Sequence, residues 1–316
     1  MRVCLMIEGQ EGVSWREWMA LAETCEEAGL EALFRSDHYL SMFDQDKSGS
    51  LDAWATLSGL GATTSKLRLG TMVSPATFRH PSALAKTVVT ADHISGGRVE
   101  LGLGAGWFER EHSGYGFEFA DTRTRIKVLA EQLEIVHGQW TSDNFDFRGD
   151  HYTIESLNAL PKPLQKPHPP LIMGGAGKKG SVELAARWAD EYNTVGPTLE
   201  RCSELRNDLD EACRRRGREP STLALSVMTT GIVGADRTEF EDRVTRMLEV
   251  TNNDERPDDY VQQNRSTQVL GTVDEAIESL RAYEASGVER IMLQHLHHRD
   301  LDMVKLLGQI LVPAVA

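Results

Sequence analysis

Between Leu67 and Trp107 the chain alternates in a way that few folds accept. Leu67-Arg68-Leu69-Gly70-Thr71-Met72-Val73 reads as an apolar strand that breaks at Ser74-Pro75. His80-Pro81 then opens a helical pattern through Ala83, Leu84, Val88, Val89 and Ala91 to Ile94. It stops at Ser95-Gly96-Gly97, where glycine can take the left-handed conformation that a helix end often needs. A second apolar strand follows at once. Strand, helix and strand within about forty residues form one right-handed crossover unit, which implies a parallel sheet with helices packed outside it.

The second strand, Arg98-Val99-Glu100-Leu101-Gly102-Leu103-Gly104-Ala105-Gly106-Trp107, places glycine at alternate positions. If the strand holds through them, Gly102, Gly104 and Gly106 share one face and strip it of side chains, so a flat ligand could lie against bare backbone. The same glycines would equally let a helix pack closely on the strand, and the pattern alone leaves both open. It is not a dinucleotide fingerprint, because the G-x-x-G tail is missing and Trp107-Phe108-Glu109-Arg110-Glu111 is no tight phosphate turn.

The rhythm repeats along the chain. Strands are expected at Arg2 to Glu8, Leu30 to Arg35, Leu67 to Val73, Arg98 to Trp107, Leu171 to Met173, Glu191 to Val195, Leu223 to Val233 and Arg290 to Gln294, each followed by a helical pattern. Eight strand-helix units predict a (β/α)8 barrel, with a doubly wound sheet as the alternative. The expected organisation is a single barrel domain over 1–316. Three additions interrupt it, at about 39–51, 143–160 and 251–268. In the second, Phe145 to Ile154 alternates like a hairpin, and in the third, Asn252 to Asp259 reads as a polar loop.

With 316 residues and 40% hydrophobic content, the chain can bury a full core. Its formal net charge of -14 argues against a nucleic-acid groove or an anionic membrane surface as partner. An anionic ligand would need a local basic or helix-terminal site. Cys4, Cys25, Cys202 and Cys213 have no C-x-x-C spacing and read as reduced residues. No stretch is apolar for long enough to span a bilayer, and a cytoplasmic location is expected.

In a barrel of this kind, catalytic residues sit at the C-terminal ends of the strands. Those ends are Asp37-His38, Thr71-Met72, Gly104 to Trp107, Gly174 to Lys179 and Gln294-His295. At the first, a neutral His38 could polarise a ligand or transfer a proton while Asp37 fixes its tautomer. Gly174-Gly175-Ala176-Gly177-Lys178-Lys179-Gly180 opens a helix, so backbone N–H groups, the dipole end and two lysines offer themselves to an anion. It is not a Walker loop. His295, His297 and His298 lack the carboxylate spacing of a metal cluster and are expected to form a solvent-facing loop or a substrate wall; no metal is expected. Trp54 and Trp107 could wall a flat ligand. Glu109, Glu111, Asp121 and Arg125 read as solvated or paired charges.

Taken together, Ser36-Asp37-His38, Leu69 to Pro81, Gly96 to Trp107 and Gly174 to Gly177 resemble the luciferase-like monooxygenase superfamily, and more narrowly its branch that uses the deazaflavin coenzyme F420. The match runs through nearly the whole chain, including Gly271 to Leu293. The resemblance implies a barrel with the cofactor ring at the strand ends. It also implies a non-proline cis peptide after the third strand, by position at Thr71-Met72. Cofactor contacts are implied at Asp37, Thr71, Met72, Val73, Gly104, Ala105, Gly106 and Trp107, with the phosphate at Gly174, Gly175, Ala176, Gly177, Lys178 and Lys179. His38 and Asp37 are the implied catalytic pair, and a homodimer is implied by the family alone.

One departure bears on the substrate. Sugar-phosphate dehydrogenases of this branch carry a glutamate directly after the glycine run, where this chain has Trp107, which speaks against sugar-phosphate oxidation. The expected activity is therefore hydride transfer between F420 and a small organic substrate. The alternatives are an FMN-dependent monooxygenase served by a separate reductase, and a non-catalytic flavin-binding protein.

Overall fold

A computed structural model describes residues 1–43 and 49–315. Eight strands, β1 (Arg2–Ile7), β2 (Ala32–Arg35), β3 (Arg68–Thr71), β4 (Val99–Gly104), β5 (Leu171–Gly174), β6 (Glu191–Val195), β7 (Ala224–Gly234) and β8 (Arg290–Gln294), pair in parallel with their sequence neighbours. The ring closes where β1 takes β8 as its partner, with Arg2 opposite Arg290 and Met6 opposite Gln294. This is a (β/α)8 barrel. Among the described residues no helix is long and apolar enough to cross a membrane.

Alternation along each strand sorts the side chains. Val3, Leu5, Ile7, Leu33, Leu69 and Leu101 face outward and are buried under the helices. Cys4, Met6, Ala32, Phe34, Ile172 and Met292 form a separate apolar cluster, which fills the barrel. Near the N-terminal ends of the strands this filling gives way to charge. Arg290 donates to Glu100 at 2.7 Å and to Glu191 at 3.2 Å, and its guanidinium lies 4.9 Å from the Phe34 ring centre. That end is plugged, so a ligand must enter from the other.

Local chemistry sets the helix ends. The Trp15–Ala28 helix begins at Ser14 with a reciprocal capping box to Glu17 and ends at Gly29, whose φ of 84° suits glycine. The Pro81–Ser95 helix has proline in its first turn and stops at Gly96, as its pattern predicts.

The stretches expected as additions have local structure of their own, with two differences from what their sequence suggested. Phe145–Arg148 and Thr153–Leu157 form the expected hairpin. The expected loop after residue 251 instead holds a helix, Pro257–Asn264, which starts on its proline and is tied down by the buried Tyr260. Of the first addition, 39–51, residues 44–48 lie outside the described residues. A short helix, Glu109–Tyr115, was not expected at all, and it shapes the site.

Candidate active site

The chain leaves β2 through Ser36, Asp37 and His38 at the open end of the barrel. His38 Nδ1 lies 2.6 Å from Glu111 Oε1, and the other oxygen of that carboxylate accepts the Tyr39 N–H at 2.9 Å. Glu111 is fully buried. Burial alone would depress the His38 pKa, but the hydrogen bond and charge of Glu111 outweigh it, helped by the charges of Glu8 and Asp37, and the pKa is raised. The imidazole also stands edge-on to Trp107 and Phe108, with ring centres 5.7 and 5.9 Å away.

This corrects one expectation. Asp37 does not orient His38. It accepts from Ser74 Oγ at 2.6 Å and from Arg79 Nη1 at 2.6 Å, and Arg79 reaches Asp52 at 2.7 Å. Asp37 acts on the imidazole only as a weaker charge behind Glu111 and Glu8. Glu111, read from the sequence as a solvated or paired charge, is paired: it is the residue that holds the ring.

The short helix after the glycine run delivers Glu111. Gly106 turns the chain out of β4 with φ of 78°. His112 then fixes the helix, with Nδ1 2.7 Å from the Phe108 carbonyl and Nε2 2.6 Å from Thr77 Oγ1. Phe108, Glu111 and His112 are spaced i, i+3, i+4 and so share a helical face.

The glycines serve neither purpose first considered. A Cβ on Gly102 would lie 2.0 Å from the Thr71 carbonyl oxygen, and one on Gly104 would lie 2.7 Å from Val73 Cγ2. A Cβ on Gly174 would meet the same valine at 3.1 Å. The glycine face is therefore covered by the Thr71–Val73 segment, neither bare for a ligand nor packed by a helix. Gly106 is not part of the strip, because β4 ends at Gly104. The non-proline cis peptide lies at Met72-Val73, one residue beyond the expected position. Trp107 projects from the rim with 62% of its surface exposed.

After β5 the turn is held from below. Gly175 N–H donates to the Asn193 carbonyl at 3.0 Å, Gly177 N–H donates to the Tyr192 hydroxyl at 2.9 Å, and the Gly177 carbonyl accepts from Arg201 at 2.9 Å. The Lys179–Trp188 helix that follows begins without a side-chain cap. Its first amides, with the exposed Lys178 and Lys179, present donors and positive charge outward. An uncapped helix start on a clamped glycine turn fits an anionic tail. Val73, Ala105 and Trp107, partly buried or exposed just past the C-terminal ends of β3 and β4, suit a flat ring. The residues present therefore suit a flavin-type cofactor.

Of the histidines after β8, expected in a solvent-facing loop or a substrate wall, His297 and His298 lie half-buried in a loop while His295 is turned inside. His295 is buried, donates from Nε2 to the Asp300 carbonyl at 3.1 Å, and has its pKa pushed down to about 4 by burial. His298 faces Glu17 at 3.7 Å. Trp54 is packed inside, its indole N–H donating to Ser74 at 3.0 Å. Among the described residues no group of three or more His, Cys, Asp or Glu is arranged to hold a metal ion.

Known proteins resemble this chain in sequence and fold. The chain is 27% identical over 320 residues to the FMNH(2)-dependent dimethylsulfone monooxygenase of Pseudomonas putida, spanning 93% of this chain and 86% of that protein. It is 32% identical over 196 residues to the F420-dependent glucose-6-phosphate dehydrogenase of Microbacterium testaceum, which covers 61% of this chain and 57% of that enzyme. An F420-dependent secondary alcohol dehydrogenase, solved with an F420-acetone adduct, superposes with a TM-score of 0.85 over all of this chain and 99% of that one, at 20% identity, and so shares the fold. Residues 3–290 match the family described as luciferase-like monooxygenase, and the chain belongs to that family of oxidoreductases.

Proposed function

We propose that the protein moves a hydride between coenzyme F420 and a small organic substrate held at the barrel mouth. One observation carries the reading: the Glu111-held His38 stands at the mouth with its Nε2 unbonded by any protein group among the described residues. When bound, a deazaflavin supplies two-electron hydride chemistry and reacts poorly with oxygen, because carbon replaces the reactive central nitrogen of a flavin.

The chain's own groups divide the remaining work. His38 holds or releases a proton at Nε2, and Glu111 fixes its orientation and favours its charged form. Asp37, Ser74 and Arg79 brace the end of β2 against the Thr71–Val73 segment. Gly174 to Lys179 hold the anionic tail, and Trp107 with Phe108 excludes water beside His38. In the same reading the chain is one barrel domain with its additions at the strand ends, acting in the cytoplasm as a homodimer.

A second reading, FMN-dependent monooxygenation, draws on the likeness to the dimethylsulfone monooxygenase, which covers 93% of this chain and 86% of that protein. Fluorescence titration of the protein with oxidised F420, beside FMN in the same buffer, separates the two. Saturable binding of F420 with little FMN binding is expected. Preference for FMN with oxygen-dependent product would replace the hydride reading, and tight binding without turnover of any substrate would leave a binding protein.

A further inference from the structure

Opposite His38 the barrel mouth changes character. β6 stands four strands from β2 in the ring of eight, so its open end lies across the mouth from His38. Contacts fix which way each β6 side chain points. Glu191 accepts from Arg290 and Asn193 donates to Ser226 and to the Met292 sulfur, all inside the barrel, while the Tyr192 hydroxyl meets Ser181 outside it. By the same alternation Val195, the last residue of the strand, faces inward. It is 66% exposed, whereas Asn193 one layer below is 2% exposed. Val195 therefore presents its methyl groups to the opening.

Its neighbours hold it still and leave it uncovered. β7 sets Met228 directly beside it, and the Gly196 N–H donates to the Met228 carbonyl at 2.9 Å. Met228 is half-buried and packs on the apolar filling of the barrel. On the other flank Gly174 has no side chain, and a Cβ on Gly196 would meet nothing within 4 Å. Charge is missing from the same wall. No inward position of β5, β6 or β7 above Glu191 is ionisable. Their polar groups are already engaged, Asn193 with Ser226 and Thr230 with Gln294. The wall facing His38 offers aliphatic and thioether surface, with no countercharge on its strands.

We infer that Val195 determines specificity, and that the substrate is an uncharged carbonyl compound whose aliphatic arm lies on Val195 and Met228 while its carbonyl stands beside His38. This rests on the hydride-transfer reading. The carbonyl carbon accepts a hydride from reduced F420, which is oxidised. The carbon–oxygen π pair moves to oxygen, which takes the proton of His38 Nε2, so an alcohol forms. The second hydrogen of the reduced coenzyme leaves as a proton and restores His38 through solvent, which balances the equation. An arm ending in a carboxylate, phosphate or ammonium group would lose hydration against this wall and gain no partner there.

The test compares 5-methyl-2-hexanone with 4-oxopentanoate, which have nearly the same shape but end in an isopropyl group and a carboxylate. Acetone and 2-pentanone supply shorter arms, and reduced F420 is oxidised by each with the full chain. The wild-type protein is expected to favour 5-methyl-2-hexanone over 4-oxopentanoate in kcat/KM by about tenfold or more. Each added carbon of the arm should raise kcat/KM by about two- to fourfold, the scale of a partly buried methylene. Val195→Thr keeps the shape and adds a hydroxyl, so it should raise the KM for 5-methyl-2-hexanone and shrink its advantage over acetone. Val195→Lys should turn the preference toward 4-oxopentanoate. Equal use of the two long substrates, no dependence on arm length, no reduction of any ketone by protein that binds F420, or a Val195→Thr that weakens all ketones alike overturns the inference.

Saturation-transfer NMR with the same two long compounds needs neither coenzyme nor turnover. Transfer to the isopropyl methyls of 5-methyl-2-hexanone, weak for 4-oxopentanoate and reduced in Val195→Lys, supports the assignment; transfer that is absent, or indifferent to Val195, overturns it. If F420 itself fails to bind, the hydride reading falls and the NMR comparison alone decides on Val195. Circular dichroism establishes that each variant is folded.

Discussion

His38 Nδ1 and Glu111 Oε1 lie 2.6 Å apart across 73 residues of chain, joining the end of β2 to a helix that exists only beyond β4. The contact raises the His38 pKa above its ordinary value of 6.5. A raised histidine contributes stability that is fully present below pH 6.5 and is lost as pH climbs through the folded-state value. Glu111→Gln keeps the shape and removes the charge, so it should destabilise the protein by about 1–3 kcal/mol on the acid side of that window and flatten the pH dependence within it. Urea denaturation of both proteins across the window measures this. A pH dependence unchanged by the substitution would mean that His38 is not held by Glu111 in solution.

The Asp37–Arg79 pair predicts a different cost. Its side chains are 0% and 15% exposed, so Arg79→Met strands a buried carboxylate, and a loss of about 3–5 kcal/mol is expected. Arg237 and Glu275 form an ion pair of similar length, but with 49% and 32% exposure. Arg237→Met should therefore cost no more than about 1 kcal/mol. Parallel chemical denaturation of the two variants ranks them, and similar losses would contradict the role assigned to burial.

The cover over the glycines can be probed with single methyl groups. Gly102→Ala sets a carbon against the Thr71 carbonyl, part of the backbone, whereas Gly104→Ala meets a valine methyl that has some room to shift. Gly102→Ala should be the costlier, of the order of 3 kcal/mol against about 1 kcal/mol for Gly104→Ala. Thermal unfolding of the pair tests the order. If both were neutral, the glycine face would be open and the original ligand-platform reading would return.

The barrel was legible because eight apolar runs alternate with helical periods, and periodicity survives without knowledge of contacts. His38 was legible by its place at a strand end. Its partner was not, because the spacing of Phe108, Glu111 and His112 is too short to announce a helix, and an acidic residue there reads as a solvated or paired charge with nothing to name what it pairs with. The glycine run was seen, but its purpose depends on where Val73 lies across two neighbouring strands, which sequence spacing does not encode. Asp37 illustrates the converse. Adjacency to His38 suggested a pair, yet successive residues leaving a strand point to opposite sides, and Asp37 turns toward Arg79 instead.

His295 supplies a prediction on the acid side. Buried behind β8, it donates to the Asp300 carbonyl, and burial lowers its pKa to about 4, more than the nearby Asp300 charge restores. In the unfolded chain the same ring takes a proton near 6.5. A depressed pKa contributes stability that is present above pH 6.5 and is lost as pH falls toward about 4, because the unfolded state binds the proton first. Replacing the ring with a side chain that does not titrate, His295→Gln, should lower stability at neutral pH through the altered packing, yet make the decline between those two pH values shallower than in the wild-type protein. Denaturant midpoints measured along that interval separate the two effects. A wild-type slope retained by His295→Gln would place the acid sensitivity on another buried group and remove His295 from the account.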